Sequence, residues 1–182
     1  MSIQLRDDQT RYGLISVLLH WTIAVLIAVL IGLGLWMVSL SVFDSWYRTA
    51  PMLHTSLGVV VALLMLIRLL WRMLTATPAP AVARSPVMML LGKLVHRVMY
   101  ANVFVVAVSG YLVATGSGRA LEFFNLFSVP AMLHVSTRQV QLFKTLHELS
   151  VWFLVGLIVL HVAAVLKHQL IDKEPILQRM KP

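Results

Sequence analysis

Four long apolar runs divide the chain, each near the length a helix needs to cross a bilayer. Spanning ~30 Å of hydrocarbon takes about 20 residues in helical conformation. The first predicted span is roughly Leu14–Leu40, broken only by His20, Trp21 and small residues. The second is roughly Leu53–Trp71, closed by Arg68 and Arg72 and then by a break at Pro78 and Pro80. The third is roughly Val87–Thr115, amphipathic at its start through Lys93, His96 and Arg97. The fourth is roughly Leu146–Leu166. The polar connections differ in kind. Ser41–Met52 is short, and the stretch TPAPAVARSP within Met73–Pro86 reads as an extended loop. Gly116–Lys144 is long and mixed, with a turn expected at Pro130 and a short interfacial helix expected within it. No internal repeat is evident, and 182 residues suggest one domain over 1–182.

Composition agrees with the pattern. The chain is 59% hydrophobic and only 12% charged, with a mean hydropathy of +0.86; soluble domains carry about a quarter charged residues. The polar start, MSIQLRDDQTRYG, precedes a long apolar run without a small-residue cleavage pattern, so the first span reads as a retained helix. With the N-terminus inside, eleven Lys and Arg fall on cytoplasmic segments: Arg6, Arg11, Arg68, Arg72, Arg84, Lys93, Arg97, Lys167, Lys173, Arg179 and Lys181. Four fall outside, at Arg48, Arg119, Arg138 and Lys144. That bias predicts both termini in the cytoplasm. It also accounts for the net charge of +8 without nucleic acid.

Cysteine is absent, which excludes disulfides, thiolate-held iron–sulfur clusters and covalent CxxCH haem attachment. Histidine is then the strong metal ligand that remains. An ionisable side chain inside a span is costly and points to function. His147 and His161 are fourteen residues apart, which is ~21 Å along a helix and within about 40° of the same azimuth. They face one way, one near each membrane surface. By depth, His54 at the start of the second span is level with His147, and His20, about two turns into the first, is level with His161. Two facing histidines at each level can clamp a haem iron axially. Zinc would require three or four protein ligands, and no third is evident at either level.

His96 competes with His20 for the inner level, but it sits between Lys93 and Arg97, whereas His20 follows a fully apolar entry. His168 shares the stripe of His161 and suits a propionate, a quinone, a proton path or the interface; His134 falls in the outer loop. Gly32, Gly34, Gly58, Gly110 and Gly156 are small positions at which a flat macrocycle could approach a helix, or helices could pack closely. Arg11, Arg68, Arg72, Arg97 and Lys93 are available to inner propionates. Arg48, Arg119, Arg138 and Lys144 are available to outer ones.

The stretches RYGLISVLLHW, APMLHTSLG, IRLLWR, LVHRVMY, LHELSVWFLVGLIVLHVAAVLKHQLIDK and LQRM run along nearly the whole chain. In order and spacing they resemble the bacterial di-haem cytochrome b561 family, four-helix inner-membrane b-type cytochromes. The resemblance implies an all-α bundle enclosing two haem b groups. It also implies His20 and His161 as ligands of the inner iron, and His54 and His147 of the outer. Members pass electrons between membrane quinone and a donor or acceptor at one face. One branch oxidises superoxide at the outer face and reduces ubiquinone. The expected role is therefore that of an oxidoreductase in the inner membrane, with lipid, quinone and a small anion or periplasmic redox protein as partners. Trp21, Trp71, Trp152 and His168 are candidates for a quinone by location. The alternatives are a haem-bearing membrane subunit for a soluble partner, and a non-haem transporter. The transporter is disfavoured because Glu148, near one end, is the sole carboxylate expected within a span.

Overall fold

A computed structural model describes residues 4–9, 11–76, 78, 86–174 and 176–180. Arg84, Lys181, Pro80 and most of the Pro/Ala-rich connection lie outside the described residues. Four long helices dominate: α1 (Leu14–Met37), α2 (Thr49–Leu74), α3 (Pro86–Thr115) and α4 (Thr137–Leu166). All four are long and apolar enough to cross a membrane. α1 packs on α2, α3 on α4, and α2 joins the two pairs through α3. Many apolar side chains point outward, among them Leu63, Leu70, Val108 and Leu160. Such a surface is stable only against lipid.

The apolar runs mark where the helices are, but local chemistry sets their ends. α1 stops at Met37, where the Ser39 hydroxyl donates to the Trp36 carbonyl. α2 starts at Thr49, with Pro51 in its first turn, where a missing N–H costs nothing. α4 departs most from expectation and begins nine residues before Leu146. Ser136 caps it by accepting from the Gln139 N–H, and the Gln139 side chain accepts from the Ser136 N–H in return. This reciprocal capping box is worth about 1 kcal/mol and lets a polar segment join the helix.

The connection between α3 and α4 corrects a second expectation. The helical part of Gly116–Lys144 is the start of α4 at Thr137 rather than a separate short helix, and the EFFNLF stretch forms an antiparallel hairpin, β1 (Leu121–Phe123) with β2 (Phe127–Val129). The turn lies at Phe124–Leu126, not at Pro130, with Phe124 and Asn125 at φ 49° and 57°. Phe123 stacks on Phe127 across the strands at 4.8 Å. Aromatic residues facing each other favour strands over a helix here. Buried Ser56 of α2 fastens the hairpin: its hydroxyl donates to the Glu122 carbonyl and accepts from the Phe124 N–H at 2.9 Å. The Tyr111 hydroxyl donates to the Pro130 carbonyl.

The opposite end of the bundle gathers both termini. Gly13 at the start of α1 offers no side-chain cap, and Asp7 supplies the acceptor instead. Its carboxylate accepts from the Gly13 N–H and the Ser16 hydroxyl, both at 2.7 Å, and from the Thr75 hydroxyl of the segment after α2. Beyond α4 a π-helical turn, Lys167–Ile171, leads to the single turn Leu177–Met180, whose last carbonyl accepts from the Trp21 indole.

Candidate functional site

The centre of the bundle is an apolar layer drawn from every helix: Ile23, Val61, Met65, Val103 and Leu154. Leu154 lies seven residues from both His147 and His161, so ~10 Å of helix separates it from each. The layer therefore divides two polar levels. One lies toward the hairpin and one toward the termini.

At the hairpin level the structure brings His54 and His147 together, with ring centres 6.3 Å apart. Each ring is seated on a glycine of the neighbouring helix. A Cβ at Gly34 of α1 would meet His54 Cε1 at 3.1 Å, and one at Gly110 of α3 would meet His147 Cε1 at 2.9 Å. These two glycines therefore make room for imidazoles. At Gly32, Gly58 and Gly156 an added Cβ would meet nothing within 4 Å. The His147 Nδ1–H donates to the Val106 carbonyl at 2.9 Å, with the Ser109 hydroxyl 3.4 Å away. A carbonyl can only accept, so this bond fixes the tautomer and leaves the Nε2 lone pair free, as a metal ligand requires. His54 Nδ1 is buried without a hydrogen-bond partner.

His54 and His147 would fit as the two imidazoles that hold a haem iron. Metal–imidazole bonds of about 2.0–2.1 Å put the centres of two opposed rings about 6.4 Å apart, close to the 6.3 Å observed. The second sign of fit is the His147 Nε2 lone pair, left free by the bond from Nδ1–H to the Val106 carbonyl.

The terminal level is more crowded. His20, His96, His161 and Arg68 converge there, and His20 stands within electrostatic reach of both other histidines. His161 has His96 as its ring neighbour, at 5.3 Å and edge-on. That spacing is about 1 Å too short for two rings on opposite sides of one iron. His96 is exposed, and its Nδ1–H donates to the Gly92 carbonyl of its own helix. His20 Nδ1 accepts from the Arg68 guanidinium at 3.1 Å, and its ring lies edge-on to Trp21. The expected partners His20 and His161 thus share a level, with His96 and Arg68 beside them.

The remaining histidines stand apart. His134 is exposed in the connection, its ring against Gly118, which has the positive φ (86°) that glycine tolerates. His168 lies in the π-helical turn, 2.6 Å from Asp172, and Lys167 reaches the same carboxylate at 2.8 Å. Hydrogen bonds from Lys167 and then His168 hold the Asp172 carboxyl below its ordinary range. The basic residues Arg48, Arg119, Arg138 and Lys144 are all exposed at the hairpin end. Sequence reasoning missed the seating role of Gly34 and Gly110 and the pairing of Arg68 with His20. No intrahelical spacing encodes contacts between helices.

Residues 11–182 match the family model described as prokaryotic cytochrome b561. The chain is also 39% identical over 170 residues to cytochrome b561 homolog 2 of Escherichia coli (strain K12), an alignment covering 93% of this chain and 90% of that protein.

Proposed function

Because this chain belongs to the prokaryotic cytochrome b561 family, and is thus a multi-pass b-type cytochrome of electron transfer, we propose that it holds two haems, one at each level. His54 and His147 are the ligands at the hairpin level, and His20 and His161 at the terminal level. The observation that carries this reading is the hairpin-level pair: two rings 6.3 Å apart, each seated on a glycine, one with its Nε2 left free by a bond to a carbonyl. His20 is the terminal-level partner in this reading because it shares the level of His161 and the His96 ring stands too close to His161.

Haem held by two histidines supplies one-electron transfer without an open coordination position. The protein's own residues do the rest. The histidines fix where an electron can reside at each level. The layer Ile23, Val61, Met65, Val103 and Leu154 keeps water and ions from following it. The Lys/Arg bias, eleven to four, supports a cytoplasmic terminal end and a periplasmic hairpin end. Exposed Arg48, Arg119, Arg138 and Lys144 would steer a small anionic donor such as superoxide toward the hairpin level. Ubiquinone in the membrane is the acceptor in this reading.

A second reading has one observation behind it. Leu126, Met132 and Leu133 are exposed beside those cations, the kind of mixed surface a soluble redox protein could dock on. The chain would then be the membrane subunit of a larger assembly. Turnover of the isolated cytochrome with superoxide and ubiquinone supports the first reading, and turnover only with a periplasmic protein supports the second.

Spectroscopy on purified variants tests the ligands. Wild-type protein should show two b-type haems per chain. His54→Ala and His147→Ala should each lose the same haem, and His20→Ala and His161→Ala the other. His96→Ala should keep both. Retention in His20→Ala together with loss in His96→Ala would refute the terminal-level pair.

A further inference from the structure

The two histidines of the hairpin level are held by the same local arrangement on two different helices. His54 is seated on Gly34 of α1, and the Leu30 carbonyl, four residues before that glycine, is the backbone group beside it. His147 is seated on Gly110 of α3, and the Val106 carbonyl, again four residues earlier, accepts its Nδ1–H at 2.9 Å. Helical side chains lean toward the N-terminus and cover the turn before their own Cα. A glycine therefore leaves the carbonyl one turn back open to a donor from a neighbouring helix.

The two arrangements differ at the residue before the glycine, which is Leu33 on α1 and Ser109 on α3. Ser109 is 2% exposed. Its hydroxyl donates to the Val105 carbonyl at 2.6 Å and, at the longer distance of 3.1 Å, to the Val106 carbonyl. A hydroxyl has one proton, and here its own helix takes it. Toward His147 only the oxygen is left, as an acceptor, and it lies 3.4 Å from Nδ1. The His147 N–H is thus shared between a carbonyl and a hydroxyl oxygen, whereas His54 Nδ1 completes no hydrogen bond. Bonding of a serine to its own helix accounts for the Val105 and Val106 contacts. It does not account for the placement of the oxygen against the one imidazole N–H on α4.

We propose that Ser109 is a positioning residue for electron transfer at the hairpin level. By accepting a share of the His147 Nδ1–H it raises the basicity of Nε2, the nitrogen that faces iron. A more basic ligand favours ferric over ferrous iron, so Ser109 lowers the midpoint of this haem and makes it the better electron donor. The inference rests on the haem reading above. It assigns a role in that site to α3, which supplies none of its proposed ligands.

The test uses full-length, haem-loaded protein in lipid nanodiscs, with the midpoint potential of each haem measured by titration. The hairpin-level haem is the one missing from His54→Ala. Ser109→Ala should raise its midpoint. The expected change is roughly threefold in the reduced-to-oxidised ratio, the size of one weak hydrogen bond, or about 28 mV at 59 mV per tenfold. The terminal-level haem of the same variant should not move. Ser109→Thr, which keeps the hydroxyl, should keep the wild-type midpoint. An unchanged hairpin-level midpoint in Ser109→Ala would overturn the proposal. So would a lowered one, which would mean that the hydroxyl competes with His147 for the Val106 carbonyl instead of accepting from it. If Ser109→Ala loses the hairpin-level haem, Ser109→Thr decides, and a raised midpoint in that variant overturns the proposal. Wild-type protein without haem would refute the functional reading itself, a distinct result.

Discussion

Replacing Gly110 by alanine tests whether the hairpin-level site is built for an imidazole held in one place. The new Cβ would lie 2.9 Å from His147 Cε1 and 3.1 Å from Nδ1, whereas ordinary contact begins near 3.4 Å. The ring must therefore retreat by 3.4 − 2.9, or about 0.5 Å, well beyond the roughly ±0.2 Å that metal–ligand distances tolerate. Retreat also strains the 2.9 Å bond from His147 Nδ1 to the Val106 carbonyl. Overpacking costs about 1–3 kcal/mol and a strained or lost hydrogen bond about 1 kcal/mol. The two together come to roughly 2–4 kcal/mol, so haem at this level should bind at least tenfold more weakly. The assay is haem per chain by pyridine haemochrome, with electron paramagnetic resonance to tell the two low-spin irons apart. Gly110→Ala should lose or distort the hairpin-level signal and keep the other. Gly92→Ala, where an added methyl meets nothing within 4 Å, should keep both and gain about 0.5–1 kcal/mol of helix stability. Full hairpin-level occupancy with an unchanged signal in Gly110→Ala would refute the argument.

Two further outcomes follow from other parts of the molecule. Ser56→Ala leaves the Phe124 N–H and Glu122 carbonyl without their partner, at a cost of about 1–3 kcal/mol; limited proteolysis between α3 and α4 should speed up while haem content stays constant. Asp172 is held below the ordinary carboxylate range by Lys167 and His168. A depressed folded-state pKa stabilises above the unfolded value, so the turn after α4 should keep its protection through neutral and mildly acidic pH. That protection should vanish as pH falls through the folded pKa; hydrogen exchange across 167–174 reads it, and Asp172→Asn should abolish the pH dependence.

The route from sequence to site was unequal along the chain. α3 and the body of α4 could be read because each contains an apolar stretch long enough to cross a bilayer. The start of α4 was underestimated because hydropathy sees lipid-facing length, whereas a capping box at Ser136 and Gln139 extends the helix into polar sequence. The capping residues were visible as S-x-x-Q. The hairpin was missed because its six-residue core carries too few alternations to distinguish a strand from a short helix.

The sequence alone determined depth. Apolar length sets where each helix crosses, and fourteen residues between His147 and His161 place two imidazoles on one stripe at two levels, because helical rise and twist are local properties. Tertiary structure decided facing. In lipid, outward and inward positions are both apolar, so hydrophobic periodicity does not report which side of a helix meets its neighbours. Only packed helices reveal that Gly34 and Gly110 seat the rings of His54 and His147 and that Val106 orients one of them. Only they reveal that Arg68 and Tyr100, 32 residues apart in sequence, stand together.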